Sequence, residues 1–382
     1  MEGLGVSLPF SDAFRGRRVL VTGHTGFKGS WLAIWLHELG AKVTGYALEP
    51  PTVPSNFVAS GVEPLLERHL VADIRNRQAL AEAFSLCEPE VVFHLAAQAL
   101  VREGYRQPFE TFEINTLGTA NVLEVVRERA RPCVVVVITS DKCYENREQV
   151  WGYRECDPMG GHDPYSASKG AAELVTAAYR RSYFDPGQVA RHGVKVASAR
   201  AGNVIGGGDW AADRIVPDLV RALSAGRPVP IRHPGAVRPW QHVLEPTSGY
   251  LTLAARMVAS DDPDLCTAWN FGPLPEQAVT VAGLTEMFIE AWGDGAWVDA
   301  RRDGEPHETR TLHLSIDKAV RELQWHPRWS ATVAARRTAD WYRRQAASNG
   351  ALMRDACLAD IAAYLSPSPR TGKMENGRGQ EA

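Results

Sequence analysis

The sequence predicts an α/β protein: a doubly wound parallel sheet followed by a smaller C-terminal domain. Three observations carry this expectation. Short apolar runs alternate with helical patterns through the first half, the texture of repeated β-α units. The first apolar run ends in a glycine-rich turn, Gly23-His24-Thr25-Gly26-Phe27-Lys28-Gly29, that opens onto a helical pattern. The run Val134-Val135-Val136-Val137-Ile138 is β-branched throughout, as befits a strand buried on both faces. At 382 residues the chain exceeds what one hydrophobic core usually holds, so a second, smaller domain is expected.

In order, strands are expected at 18–22, 42–47, 69–71, 91–95, 133–138 and 195–200. Amphipathic helical patterns lie between them at 30–39, 78–84, 111–129 and 166–183. This places a dinucleotide-binding domain over residues 1–202. From Asn203 the texture changes: Gly206-Gly207-Gly208 and the prolines between Pro217 and Pro246 break the alternation. Shorter helices follow, at 281–292 and 330–344. Residues 203–346 are read as the smaller domain, with elements crossing back to the sheet. Residues 347–382 form an extension with one more helix, 351–365, of no assigned role. Its end, from about Ser366, is rich in Ser, Pro, Gly and charge and is expected to be disordered.

Composition excludes several classes. A formal net charge of -3 gives no bulk attraction for nucleic acid or a membrane surface. The six cysteines are scattered without a Cys-x-x-Cys pair, which argues against a disulfide frame or a structural metal and fits a reducing cytoplasm. Residues 1–18 lack the pattern of a signal peptide, and no apolar run approaches the roughly 20 residues of a membrane span.

The glycine-rich turn is the candidate cofactor site. Gly23, Gly26 and Gly29 let the backbone turn tightly and approach a pyrophosphate, while the helix start behind Thr25, Phe27 and Lys28 offers free N–H groups and partial positive charge. Asp73 and Ile74 follow the third strand, and the acid is placed to bond an adenine amino group. Leu95, Ala96 and Ala97 end the fourth strand in small residues that let a cofactor lie close. His94 reads as a core histidine. Lys28 is counted with the turn, although a solvated helix-start lysine is the simpler reading of its side chain. The second strand ends Tyr46-Ala47-Leu48-Glu49, with no base for a 2′-phosphate, so NAD is expected rather than NADP.

The candidate catalytic groups follow the buried valine run. A hydride leaves a carbinol carbon easily only if the hydroxyl proton leaves too. Tyr165 is the candidate base, although a free phenol has a pKa of about 10. Lys169 lies at i+4 on the same helix face, and its charge, with that of an oxidised nicotinamide, is expected to favour the phenolate. Ser140 would hold the substrate oxygen. Asp141 and Lys142 decide the reaction. Oxidation alone needs only Ser140, Tyr165 and Lys169, whereas eliminating water from a 4-keto sugar also needs an acid at the C6 hydroxyl and a base at C5. Asp141 suits the first role if burial raises its pKa, and Lys142 the second if its own is lowered. A surface ion pair is the alternative.

Several stretches carry a family resemblance. They are the turn with its continuation Ser30-Trp31-Leu32; Thr139-Ser140-Asp141-Lys142-Cys143-Tyr144-Glu145-Asn146; Trp151-Gly152-Tyr153-Arg154-Glu155; Asp157-Pro158-Met159-Gly160-Gly161; Gly202-Asn203-Val204-Ile205-Gly206-Gly207-Gly208-Asp209-Trp210; and Arg238-Pro239-Trp240-Gln241-His242-Val243. Together they resemble the extended short-chain dehydrogenase/reductase superfamily, which has a Rossmann fold, and within it the CDP-glucose 4,6-dehydratases. The resemblance implies a cycle without net redox on CDP-D-glucose, with tightly held NAD taking the C4 hydride and returning it to C6 after water is lost across C5 and C6. The related dTDP-glucose enzymes carry Asp-Glu where this chain has Asp141-Lys142. The resemblance further implies that Asn203 sits near the sugar or its phosphates and that Arg238 pairs with the diphosphate. Asp209, Arg214 and His242 would surround the nucleotide, with Glu308, in the polar run Glu305, His307, Glu308 and Arg310, beside it. One departure is Gly104, where relatives often have Ser. By analogy, helices 111–129 and 166–183 would form a four-helix interface in a homodimer or higher homo-oligomer. The rivals are a nucleotide-sugar 4-epimerase, a 4,6-dehydratase of another nucleotide hexose, and a non-catalytic dinucleotide sensor.

Overall fold

The computed structural model describes residues 10, 12–301 and 311–366. Its strands are β1 (Arg18–Thr22), β2 (Lys42–Ala47), β3 (Arg68–Val71), β4 (Val91–His94), β5 (Cys133–Ile138), β6 (Val194–Arg200), β7 (Val204–Ile205), β8 (Val229–Ile231), β9 (Val237–Arg238), β10 (Gln241–His242), β11 (Ala268–Asn270), β12 (Val279–Thr280) and β13 (Trp297–Asp299). Its α-helices are α1 (Phe27–Glu38), α2 (Asn56–Ala59), α3 (Arg77–Cys87), α4 (Val101–Arg106), α5 (Pro108–Phe112), α6 (Gly118–Arg129), α7 (Pro164–Ser182), α8 (Val189–His192), α9 (Ile215–Ser224), α10 (Leu244–Ala259), α11 (Val281–Trp292), α12 (Asp317–Glu322), α13 (Ala331–Ala347) and α14 (Arg354–Leu365).

Seven strands form one parallel sheet in the order β11-β6-β5-β4-β1-β2-β3. The order reverses beside β1, so a crevice opens at the carboxyl ends of β1 and β4, where such sheets place their ligands. All six residues of β5 are buried, with β4 and β6 paired on its two sides. β11, only three residues long, extends the sheet beyond β6 and was not foreseen; its short run carries no alternation or length signal of its own. One core lies on the α1 side and continues through the second half of the chain, and another lies on the α3 and α6 side.

Two helices differ from expectation. The 111–129 pattern is broken: α5 passes through a π-helical turn, Glu113–Leu117, before α6 begins. α1 has no polar face, because every residue from Gly29 to Leu36 is buried. It is covered by α2, α10 and α14 as well as by the sheet, so it behaves as a central helix rather than an amphipathic one. α14 itself matches the extra helix expected in the extension. The disordered tail expected from about Ser366 falls almost wholly outside the described residues. Among the described residues, no helix is long and apolar enough to cross a membrane.

Candidate active site

The glycine-rich turn links β1 to α1, and the Gly26 N–H donates to the Gly23 carbonyl to close it (3.1 Å). The turn faces a cavity of about 1110 Å³. Drug-sized ligand sites usually occupy about 300–1,000 Å³, so this one is large enough for more than one ligand. Its lining includes Gly23, Thr25, Gly26, Phe27, Lys28 and Gly29, then Asp73 and Ile74, then Leu95, Ala96 and Ala97. The same cavity reaches Ser140, Asp141, Lys142, Tyr165 and Lys169, and beyond them Asn203, Asp209, Arg214 and Arg238. Residues drawn from both halves of the sequence therefore share one space. Glu49, at the end of β2, also lines it.

The catalytic candidates are placed by two elements. β5 ends at Ile138, and the chain turns through a short 3-10 segment, Asp141–Cys143, capped when the Lys142 N–H donates to Ser140 Oγ (3.3 Å). Ser140 Oγ in turn donates to Asp141 Oδ1 (2.9 Å). Asp141 is 1% exposed, and its Oδ2 has no hydrogen-bond partner among the described residues. Gly202 packs so closely on this carboxylate that a Cβ there would overlap it. The surface ion pair considered for Asp141 is thereby excluded, since a buried Asp faces the cavity beside Ser140.

α7 supplies the other two groups. Asp163 caps it, accepting from the Ser166 N–H (3.0 Å), with Pro164 at its first position. Tyr165 and Lys169 follow on one face, both buried. Burial pushes the Tyr165 phenol up to about 12, opposed by its hydrogen bond with Ser140 and by the nearby charge of Arg214. Burial brings Lys169 down to about 8, with Cys143 and Glu173 acting in the other direction. Gly104 of α4 lies against Tyr165, so the departure from Ser falls beside the phenol. Behind the site, Glu173, one turn after Lys169, accepts from Thr139 and Ser198 and pairs with Arg200 (2.7 Å). This buried knot ties β5, β6 and α7 together.

Two readings need correction. Lys28 is not a solvated helix-start lysine. Its ammonium lies 5.9 Å from the Tyr250 ring, and burial, with Lys169 and Arg214 nearby, brings it down to about 7. His242 does not line the cavity. It belongs to β10, which pairs with β7, and its fully buried ring packs edge-on against Trp31 and Trp329. The two-residue strand turns that side chain into the core. Asp73 lines the cavity as expected, with Arg75 forked onto both its carboxylate oxygens (2.6 Å at the shortest) and holding it below the usual range. Glu308, with Glu305, His307 and Arg310, lies outside the described residues. His94 is the core histidine expected, bonded to Thr22 (2.8 Å) and Thr119 (3.1 Å).

The far wall joins two expected residues, Asp209 and Arg214, to three that no motif indicated, Arg102, Asp213 and Arg232. Asp209 pairs with Arg214 (2.9 Å). Asp213 meets Arg102 of α4 (3.7 Å) and Arg232 beside β8 (3.3 Å), joining the two halves across the cavity. The only sequence hint of these contacts is the basic, proline-flanked run Ile231-Arg232-His233-Pro234.

A model of the NAD dependent epimerase/dehydratase family matches residues 19–272. The CDP-glucose 4,6-dehydratase of Salmonella typhimurium is 49% identical over 360 residues, covering 94% of this chain and 98% of the relative. The dTDP-glucose 4,6-dehydratase of Streptomyces antibioticus is 30% identical over 335 residues, covering 85% and 92%. Among solved structures, DesIV, a dTDP-glucose 4,6-dehydratase from Streptomyces venezuelae with NAD and TYD bound, aligns with a TM-score of 0.69 at 25% identity, covering 86% of this chain and 97% of that one. A cavity beginning at a glycine-rich strand-helix turn and ending at a Ser-Asp-Lys turn and a Tyr-x-x-x-Lys helix agrees with these likenesses, and the chain belongs to the NAD-dependent epimerase/dehydratase family.

Proposed function

We propose that this enzyme is a hydro-lyase that converts CDP-D-glucose to CDP-4-keto-6-deoxy-D-glucose and water, with NAD as its cofactor and no net redox. The observation that carries the reading is the Ser140-Asp141-Lys142 turn facing Tyr165 and Lys169 in one cavity. The likeness to the Salmonella enzyme, near full length on both sides, points to the same substrate.

The residues fit a dinucleotide. The turn presents backbone N–H groups at the α1 start, small side chains at the end of β4 leave a flat wall, and no Lys or Arg stands among the lining residues at the end of β2, where a 2′-phosphate would need one. NAD held at Gly23, Gly26, Gly29 and the start of α1 would supply the acceptor for the C4 hydride and the donor for its return to C6. Tyr165 takes the proton from O4, with Ser140 holding that oxygen and Lys169 favouring the phenolate against the upward push of burial. The resulting ketone acidifies C5. Lys142 removes the C5 proton, and Asp141 protonates the C6 hydroxyl as it leaves; the unpartnered Oδ2 of Asp141 is free to do so. Asn203, Asp209, Arg214 and Arg238 bind the nucleotide sugar, the arginines suiting a diphosphate. In this reading residues 1–202 hold the dinucleotide and 203–346 mainly the nucleotide sugar.

The working form is proposed to be a homodimer or higher homo-oligomer. Phe109 of α5, Leu117 and Leu174 of α7 are 76%, 57% and 60% exposed, an apolar face on the helices that relatives are expected to pair. A monomer by light scattering at working concentration would exclude it.

Deuterium at C4 of the sugar tests the reaction. A dehydratase delivers it to C6 of the product, whereas a 4-epimerase returns it to C4. Parallel assays on CDP-, dTDP-, UDP- and GDP-glucose with added NAD test the base; turnover favouring a base other than cytosine would overturn the substrate assignment.

A further inference from the structure

α14 contributes nothing to the sheet and lines no part of the cavity, yet it is tied to both cavity walls. On the cofactor side it grips the segment 55–61. The Met353 N–H donates to the Ala59 carbonyl (2.7 Å), the Arg354 guanidinium donates to the carbonyls of Ser60 (3.3 Å) and Gly61, and Cys357 Sγ contacts Ser60 Oγ (3.4 Å). The first two residues of that segment, Ser55 and Asn56, line the cavity. Asn56 Nδ2 donates to Ser30 Oγ (2.7 Å) in the first turn of α1, and Ser60 Oγ donates to Asn56 Oδ1 (2.8 Å), so the grip reaches the glycine-rich turn through two hydrogen bonds.

On the opposite side, Trp341 Nε1 donates to Cys357 Sγ (3.4 Å). The Trp341 ring lies on Gly207 so closely that a Cβ there would collide with it. Gly207 also accepts from Trp31 Nε1 (2.9 Å). Two residues further on, Asp209 holds Arg214 in the cavity. The far end of α14 is fixed as firmly, because Tyr364 donates to Glu245 Oε2 of α10 (2.7 Å) and packs edge-on against Trp35 of α1. Ser30, Asn56, Ser60, Trp341, Cys357, Glu245 and Tyr364 are deeply buried, and close-packed contacts of this kind hold one spacing rather than a range.

We propose that α14 is a strap that sets the spacing of the two cavity walls, with Arg354 and Cys357 acting as positioning residues for dinucleotide binding through the segment 55–61. The proposal rests on the reading of the cavity as a dinucleotide and nucleotide-sugar site. It adds that the affinity of this site for NAD is governed from outside it, by a helix that touches neither ligand.

The test measures the NAD dissociation constant by quenching of tryptophan fluorescence, which does not depend on turnover. Arg354→Ala removes the donors to Ser60 and Gly61 and is expected to weaken NAD binding by about threefold to tenfold, the scale of one or two lost hydrogen bonds. Its kcat at saturating NAD and substrate should stay within about twofold of the parent, because no group that touches substrate is changed. Arg354→Lys, which keeps one donor, should recover most of the affinity. Truncation after Gly350 should weaken binding more than Arg354→Ala; if that chain does not fold, the two Arg354 variants decide. A folded Arg354→Ala enzyme with lower thermal stability but an unchanged NAD constant would show that α14 only stabilises the fold, and would overturn the proposal. Failure of the parent to dehydrate CDP-glucose would defeat the functional reading instead and leave the NAD comparison standing.

Discussion

The two walls of the cavity are built on different principles. On the cofactor wall, the groups stand at the ends of β1, β4 and β5 and at the starts of α1 and α7, so backbone hydrogen bonds fix their places. On the opposite wall the side chains come from loops and short ladders, and ion pairs hold them: Asp209 with Arg214, and Asp213 with Arg102 and Arg232. A change of side chain on the first wall should remove chemistry and leave the geometry alone. On the second, losing one partner should disturb the geometry of the other, because exposed and half-exposed ion pairs set position more than they add stability.

The sharpest contrast is expected from Tyr165→Phe. The substitution leaves the backbone of α7 in place and removes the proton acceptor, so kcat should fall by about 10³-fold, within the usual range for general acid-base groups. NAD binding measured by fluorescence should change little. A loss of NAD binding as large as the loss of kcat would show that this wall is not set by its backbone. Asp141→Asn comes next, with product formation expected to fall by about 10²-fold or more while KM stays within about threefold. If Asp141→Asn and Lys142→Met both left product formation intact, the elimination would have to be assigned to other groups.

Asp209→Asn tests the second wall. Arg214 keeps its charge but loses its carboxylate, so the KM for the sugar nucleotide should rise by about tenfold while kcat falls less. The reverse pattern, a kcat effect with KM unchanged, would move Asp209 into the chemistry and erase the contrast between the walls.

A pH profile sharpens the account of the first wall. Burial brings Lys169 down to about 8, so its charge is present below about pH 8 and is lost above it. Support for the Tyr165 phenolate should weaken as pH rises through that value, and kcat at saturating ligands should decline on the alkaline side. Lys169→Arg should move that decline to higher pH, because a guanidinium stays charged, though with a lower maximum from the changed geometry. An alkaline limb that does not move would assign it to another group.

How much of this was legible in the sequence follows the same division. The bounds of β1, β2 and β5 could be read from their apolar runs alone, and the turn and the Tyr-x-x-x-Lys pair from their spacing. Those features are local: a strand end and the turn after it fix where the next side chain points. His242 was misread because its neighbourhood is not local. Arg238 and Gln241 stand close to it in a short stretch, but β10 pairs with β7, which faces its ring inward against Trp31, a residue far away in the sequence. Lys28 was misread for the same reason, since Tyr250, Lys169 and Arg214 come from three separate segments. α1 looked amphipathic because the helix that covers its remaining face, α14, lies at the other end of the chain.

The smallest expected effect concerns that covering helix. Glu245 of α10 is fully buried, accepting from the N–H groups of Arg328 and Trp329 (2.9 and 2.7 Å) and from the Tyr364 hydroxyl, with Ser248 and the Arg328 side chain nearby. Burial outweighs these partners and pushes its carboxyl from 4.5 up to about 7. Between those values the folded chain binds a proton that the unfolded chain does not. The stabilisation is therefore fully present below about pH 4.5 and is lost as pH rises through about 7, so the docking of α14 should loosen from pH 5 to pH 8. The total is on the order of 1–3 kcal/mol, a shift of a few degrees in Tm for a chain of this size. Glu245→Gln keeps an acceptor for the two backbone N–H groups and an amide donor toward Tyr364, and it does not titrate. It should flatten the decline in Tm between pH 5 and pH 8, and an unchanged slope in that variant would place the titration elsewhere, with Asp360 of α14, raised to about 6 by burial, as the next group to replace.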